Sequence, residues 1–267
     1  MRQDFARAAA SYDEAAVLAR EVGARMAARL DYVRLAPRHV ADIGCATGDG
    51  VRELQRRYPR ALPLAIDFAR PMLLSMRQHA SVMQRLRGKV PRLVNADVRG
   101  LPLAANSLDL VWSNLMLHWL DDPLPAFREL HRVLAVGGLL TFAMLGPDTL
   151  KELRAAGATS LRSFLDMHDI GDMLVAAGFA DPVMDMETIT LAYRSPRQLL
   201  ADQRRLGVRA GLLGNMGWRQ WRRVFGRWQC DAAGKLPASF EIVFGHAWKA
   251  EPKIAADGRA IIRFATP

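Results

Sequence analysis

The stretch VADIGCATGDG, Val40–Gly50, is a short apolar run that breaks into a glycine-studded turn just ahead of a helical pattern, VRELQRRY. A strand, a glycine turn and a helix in that order form a cradle for a nucleotide-like ligand. Dinucleotides, nucleoside phosphates and nucleoside sulfonium cofactors all use such cradles, so the residues inside the turn have to separate them. The dinucleotide fingerprint Gly-x-Gly-x-x-Gly fails, because counting from Gly48 and Gly50 puts the third position on Glu53.

What stands in its place is Asp42-x-Gly44-x-x-x-Gly48-x-Gly50, with Asp49 where the helix opens. A carboxylate there repels a phosphate drawn to the N-terminal N–H groups, but it does not repel a sulfonium cation. The loop therefore leans toward S-adenosylmethionine. Asp67 ends the next strand about 20 residues on, where a carboxylate reaches ribose hydroxyls. Asp97 ends the strand after that, with Val98 beside it to pack an adenine ring. One such acid is explained by capping; three closing successive strands point to a ligand.

Outward from this loop, apolar runs alternate with helical patterns. HVADIGC, PLAIDF, PRLVNAD, LDLVWSN and GLLTFAML read as strands, separated by VRELQRRY, RPMLLSMRQHA and PLPAFRELHRVL as helices. That alternation predicts an α/β fold: a Rossmann-like, seven-stranded, mostly parallel sheet with helices on both faces. The sixth and seventh strands are PVMDMETITLAY and SFEIVFGHAWK, the sixth preceded by a helix, DMHDIGDMLVAAGF, that stops at Gly178. His168 and Asp169 start that helix and have no further metal ligand at convincing spacing, so no metal is expected. Between the last two strands, SPRQLLADQRRLGV and WRQWRRVFGRW carry apolar residues at helical spacing and predict an inserted helical cap. The expected units are 1–34, an N-terminal helical lid read as one helix; 35–193, the cofactor domain; 194–237, the cap; and 238–267, the last strand and tail.

The loop and strand ends resemble the class I S-adenosylmethionine-dependent methyltransferases. DIGCATG corresponds to their first motif, AIDFARPML to the second, NADVRGLP to the third and LDLVWSNLMLHWL to the fourth, over residues from about 38 to 145. The resemblance implies cofactor contacts at Asp42, Gly44, Cys45, Ala46, Gly48, Asp67, Phe68, Met72, Asp97, Val98, Ser113 and Asn114. Ser113 and Asn114 would face the methionine part. Ala46 departs from the family pattern, which carries glycine there, and the resemblance implies that its methyl, the smallest possible addition, would stand close to the cofactor. Cys45 has no activating partner in the sequence and is not read as a nucleophile.

Further segments resemble the malonyl-acyl-carrier-protein O-methyltransferases that begin pimelate assembly for biotin: FARAAASYDEAA, SNLMLHWLDDP, GPDTLKELR, FLDMHDIGDMLVAAGF and LPASFEIVFGHAWK. This likeness implies an acceptor carboxylate on malonyl-phosphopantetheine, presented by an acidic acyl carrier protein. A methyltransferase-fold arginine hydroxylase or complex I assembly factor, and another small-carboxylate methyltransferase, stay open as alternatives. A malonyl carboxylate is already ionised near pH 7, so no strong base is required. It calls for a cation, with Arg154 and Lys151 as the first expectation and Arg204 and Arg205 in the cap as the second. Tyr12, with Phe5 on the N-terminal helix, is read either as a lid residue near the methyl donor or as an anchor. His118 is read either as a substrate contact or as a core histidine beside Trp119.

The bulk numbers agree with an ordinary globular enzyme, at 51% hydrophobic and 24% charged residues. No apolar run approaches the roughly 18 residues of a membrane span. Asp4, Asp13 and Glu14 argue against a transit peptide, and two cysteines, Cys45 and Cys230, make no disulfide framework, so a cytoplasmic protein is expected. The formal charge of +10 suits an acidic protein partner, and RRLGVRAG and WRQWRRVFGR are the candidate contacts. Trp218, Trp221, Phe225 and Trp228 equally suit anchoring the cap. No nucleic-acid signature is present, and a monomer without membrane contact is expected.

Overall fold

A computed structural model of the chain describes residues 2–79 and 90–251. The expected strands form β1 (His39–Ile43), β2 (Leu62–Asp67), β3 (Arg92–Asn95), β4 (Leu108–Asn114), β5 (Leu134–Leu145), β6 (Ala180–Tyr193) and β7 (Leu236–Trp248). They lie in one sheet in the order β3-β2-β1-β4-β5-β7-β6. Pairings from β3 through β5 are parallel, and β7 runs antiparallel to both of its neighbours. The central strands are apolar along their length because both faces are covered: Val40, Ala41 and Ile43 are all buried. β6 lies at the sheet edge, where exposed and covered residues alternate.

From β1 the chain moves outward to β2 and β3, then returns to the other side of β1 as β4. The order reverses between β1 and β4, and a crevice opens there at the carboxyl ends of the strands. On one face pack α3 (Val17–Arg29) and α4 (Asp49–Arg57), through Val22, Met26 and Leu54. On the other pack α6 (Leu124–Val133) and α8 (Met167–Ala176), through Phe127, Leu130, Ile170 and Leu174. α5 (Arg70–His79) covers β2 with Leu73 and Met76. Asp166 caps α8 by accepting the His168 N–H at 2.8 Å, so His168 serves the helix start. α8 ends at Gly178, whose φ of +97° lets the chain turn back.

The N-terminal segment differs from the single helix expected. It divides into α1 (Arg2–Ala8), α2 (Tyr12–Ala15) and α3. At the first break Ser11 donates its N–H to Ala8 O at 2.9 Å and its hydroxyl to Arg205 O at 3.2 Å. This turn brings Phe5 and Tyr12 to one wall of the crevice, which a continuous helix would not do.

Between β6 and β7 lie α9 (Pro196–Arg205), a short α10 (Arg209–Leu213) that the sequence pattern did not reveal, and α11 (Trp218–Arg227). A five-residue α7 (Lys151–Ala155) follows β5. Trp221 and Trp228 are buried, and Trp228 donates its indole N–H to Pro237 O at 2.9 Å, so these two anchor the insertion. Trp218 is 70% exposed. Gly207, in the turn after α9, holds φ at +74°, and a Cβ there would lie 2.8 Å from Asp4 O of α1. The insertion and the N-terminal helices thus meet backbone to backbone. No helix among the described residues is long and apolar enough to cross a membrane.

Candidate active site

The crevice holds a cavity of about 620 Å³, within the span of roughly 300–1,000 Å³ usual for small-molecule sites. Eight of the twelve expected cofactor residues line it: Gly44, Ala46, Asp67, Phe68, Met72, Asp97, Val98 and Asn114. Asp67, at the end of β2, accepts the Ala46 N–H at 3.0 Å on one oxygen and the Ala69 N–H at 2.7 Å on the other. Each oxygen keeps a lone pair for a further donor. Burial raises its pKa, against the two N–H bonds. Asn114 donates its amide to Ala19 O at 2.8 Å, while its buried Oδ1 has no partner. A buried acceptor without a donor calls for a ligand N–H. Asp97 is held below its ordinary pKa by Arg99, which pairs with it at 3.0 and 2.7 Å.

The other four do not reach the cavity. Asp42 is 2% exposed and accepts the Val51 N–H beneath the start of α4. Burial, with Asp67 adding to it, pushes its carboxyl up to about 8. Ser113 is fully buried and donates to Ile43 O at 3.0 Å, tying β4 to β1. Cys45 packs with Val51, Leu73 and Met76, and burial raises its thiol well above the ordinary value. Gly48 caps α4 at φ +93°, with Met76 where a side chain would go. These four shape the loop from behind. Asp49 pairs with Arg52. Ala46 takes φ +44°, the left-handed region a glycine would occupy without strain.

A second, inner cavity of about 240 Å³ adjoins the first. Phe5, Tyr12, Leu115 and Trp119 form the wall common to both. Phe5 stands edge-on to Phe68 at 5.8 Å and to Trp119 at 6.1 Å, and Asp13 accepts the Thr47 hydroxyl, which fastens α2 to the glycine loop. Tyr12 keeps its proton: burial and then Asp67, Asp49, Asp13 and Asp42 raise its pKa. His118 lines the inner cavity and is only 5% exposed. Its Nδ1 accepts the Leu145 N–H at 3.3 Å, and burial, helped by Arg162, lowers its pKa to about 3. Glu14 and Asp202 also face this space, at 3.3 and 3.7 Å from Arg205.

None of the four expected cations lines either of these cavities. Arg154 donates to Arg162 O at 2.8 Å, and neither Arg154 nor Lys151 lines any of these cavities. Arg204 and Arg205 line a third cavity, of about 640 Å³, between α1 and the inserted helices. Sequence reasoning missed Met116 and Arg99 at the outer cavity, and Tyr193 and Gln203 at the inner one. Met116 and Arg99 carried a signal, since each follows a strand-end residue within a quoted motif, Asn114 and Asp97 respectively.

Residues 41–142 match the family profile described as Methyltransferase domain. The malonyl-[acyl-carrier protein] O-methyltransferase of Gallionella capsiferriformans is 49% identical, the match covering 98% of this chain and 94% of that one. The chain belongs to the malonyl-[acyl-carrier protein] O-methyltransferase family. Among solved structures, the YcgJ protein of Bacillus subtilis superposes with a TM-score of 0.61 at 14% identity, covering 86% of this chain and all of that one. A Haemonchus contortus phosphoethanolamine N-methyltransferase in complex with S-adenosyl-L-methionine gives 0.52 at 16% identity, covering 85% and 53%. At such identities these two establish the fold. The Methyltransferase domain profile stops within β5, whereas the match to the Gallionella relative covers 98% of the chain and so takes in the insertion and β7.

Chemically, the two cavities suit a donor and an acceptor meeting at the wall of Phe5, Tyr12, Leu115 and Trp119. The groups at that junction are poor bases. Tyr12 holds its proton, and His118 has its lone pair committed to a backbone N–H.

Proposed function

We infer that this chain is an S-adenosylmethionine-dependent carboxyl O-methyltransferase that esterifies the free carboxylate of a malonyl group borne on acyl carrier protein. The observation that carries the reading is the 49% identity to the Gallionella relative over nearly the whole chain. The outer cavity fits the cofactor: Asp67 for the ribose hydroxyls, Asp97 and Val98 for the adenine, Phe68 and Met72 for packing. The unpartnered Asn114 Oδ1 suits the ammonium of the methionine end. When bound, S-adenosylmethionine supplies an electrophilic methyl group on a positive sulfur.

The remaining work falls to orientation and to exclusion of water. A carboxylate acceptor is ionised near neutral pH and has no proton to lose. A junction without a competent base suits it better than an alcohol acceptor. Residues 1–34 act as a lid and 194–237 as a cap, closing on each other at Gly207 and Asp4. Phe5, Trp119 and Tyr12 keep water from the junction. The cap carries ten Lys and Arg against two Asp, eight of the chain's ten excess positive charges. An acidic carrier protein is steered to that face.

The test is intact-mass analysis of the carrier after incubation with cofactor. The malonyl form should gain one methyl group and the acetyl form none. Equal gain on both, or none on the malonyl form, would refute the reading.

A further inference from the structure

The acceptor's negative charge still needs a partner, and the inner cavity does not offer the expected one. Among the described residues no Arg or Lys lines it. Three neutral donors do. His118 accepts the Leu145 N–H on Nδ1, which leaves the ring proton on Nε2, and that atom is buried with no partner. Tyr193, the last residue of β6, is 4% exposed, and its hydroxyl bonds to none of the described residues. Gln203, on α9, is 3% exposed, and its amide is equally without a partner among them. The His118 Nε2–H, buried and unmade, carries a full desolvation penalty, and the Tyr193 hydroxyl and Gln203 amide stand unbonded on the same small space, so one acceptor there would complete all three.

Resting on the carboxylate-acceptor reading above, we propose that the inner cavity grips the malonyl carboxylate through His118 Nε2–H, the Tyr193 hydroxyl and the Gln203 amide, without a cation. The physical advantage lies in what the reaction does to charge. The carboxylate is anionic before transfer and neutral as an ester afterwards. A guanidinium fork would hold the reactant more tightly than the transition state, which slows the step. It would also be left buried and unpaired against a neutral product. Neutral donors orient the oxygens with less of either penalty. Glu14 and Asp202, which face the same cavity, have Arg205 nearby and so oppose the incoming anion less.

Tyr193→Phe and Gln203→Leu remove one donor each at nearly constant volume. Their affinities for malonyl and acetyl carrier protein, kcat and KM should be measured alongside calorimetric titration of S-adenosylmethionine. Each variant should lower malonyl kcat/KM about 10- to 100-fold, the range for a hydrogen bond to a charged group. The malonyl-over-acetyl binding preference should fall by a similar factor, with cofactor affinity unchanged. A merely structural role would weaken cofactor and both carriers together. Arg154→Ala should leave the preference intact. If the wild type methylates malonyl carrier protein but both donor variants keep its full preference, or Arg154→Ala abolishes it, the neutral-donor proposal is overturned. If the wild type methylates no malonyl carrier protein, the functional reading itself fails and takes this one with it.

Discussion

Gly207→Ala should separate the stability of the fold from the closure of the lid. Gly207 holds φ +74°, so alanine there incurs a left-handed penalty of about 1–2 kcal/mol wherever the lid lies. The new Cβ would also stand 2.8 Å from Asp4 O and 3.0 Å from Ala8 Cβ. The obstacle is backbone, and overpacking of this kind costs about 1–3 kcal/mol. α1 has only seven residues, and its docking rests mainly on Ala8 and Phe5. Burying one aromatic side chain is worth about 1.5–3 kcal/mol, so clash and docking are nearly matched. The short helix should therefore retreat while the rest of the chain stays folded. Urea unfolding should show a loss of about 1–2 kcal/mol, set by the turn. Calorimetric affinity for S-adenosylmethionine should drop roughly tenfold or more as Phe5 leaves its cavity. Phe5→Ala should reproduce the affinity loss without the strain of the turn. Unchanged affinity in Gly207→Ala, with stability within about 0.5 kcal/mol of the parent, would refute the closure described for α1 and the cap.

Other perturbations test separate parts of the account. Asp67→Asn should weaken S-adenosylmethionine about 10- to 100-fold by calorimetry, the worth of charge-assisted bonds to a ligand. Asp42, pushed up to about 8, binds a proton in the folded state that the unfolded chain releases near its ordinary 3.8. Its contribution is fully present below pH 3.8 and lost as pH rises through 8. Thermal melts of Asp42→Asn should accordingly gain on the wild type as pH rises from 4 to 8, and a constant difference would contradict the burial argument. Reversing charge at Arg209, Arg222 and Arg223 should raise KM for the carrier several-fold and flatten its salt dependence, with kcat unchanged. Equal KM at low and high salt in the wild type would remove the docking face.

The sheet was legible because its central strands are apolar runs ended by polar residues, and the glycine loop marked where the crevice lies. Which residues of a strand end face that crevice was not legible. Ser113 and Asn114 are neighbours, yet the pleat sends one back to Ile43 O and the other to the cavity. The acid at the end of β1 likewise turns beneath α4, while Asp67 faces outward. Arg154 sits on α7, a single helical turn, where its guanidinium donates to Arg162 O, a contact that no local pattern encodes. Tyr193 and Gln203 carry no motif. They reach the inner cavity because the insertion leaves the end of β6 and folds back over the crevice, a long-range arrangement no local pattern encodes. The split between α1 and α2 was hidden by good helix formers on both sides of the break, where contact with Arg205 O overrides propensity.

The central claim is that a methyl donor and a carboxylate acceptor meet across the wall formed by Phe5, Tyr12, Leu115 and Trp119. S-adenosylmethionine with an isotopically labelled methyl, incubated with the enzyme and malonyl carrier protein, tests it directly when the product is read by NMR. The account predicts a single labelled methyl-ester signal on the malonyl group. Label on nitrogen or sulfur, or no transfer despite bound cofactor, would contradict it.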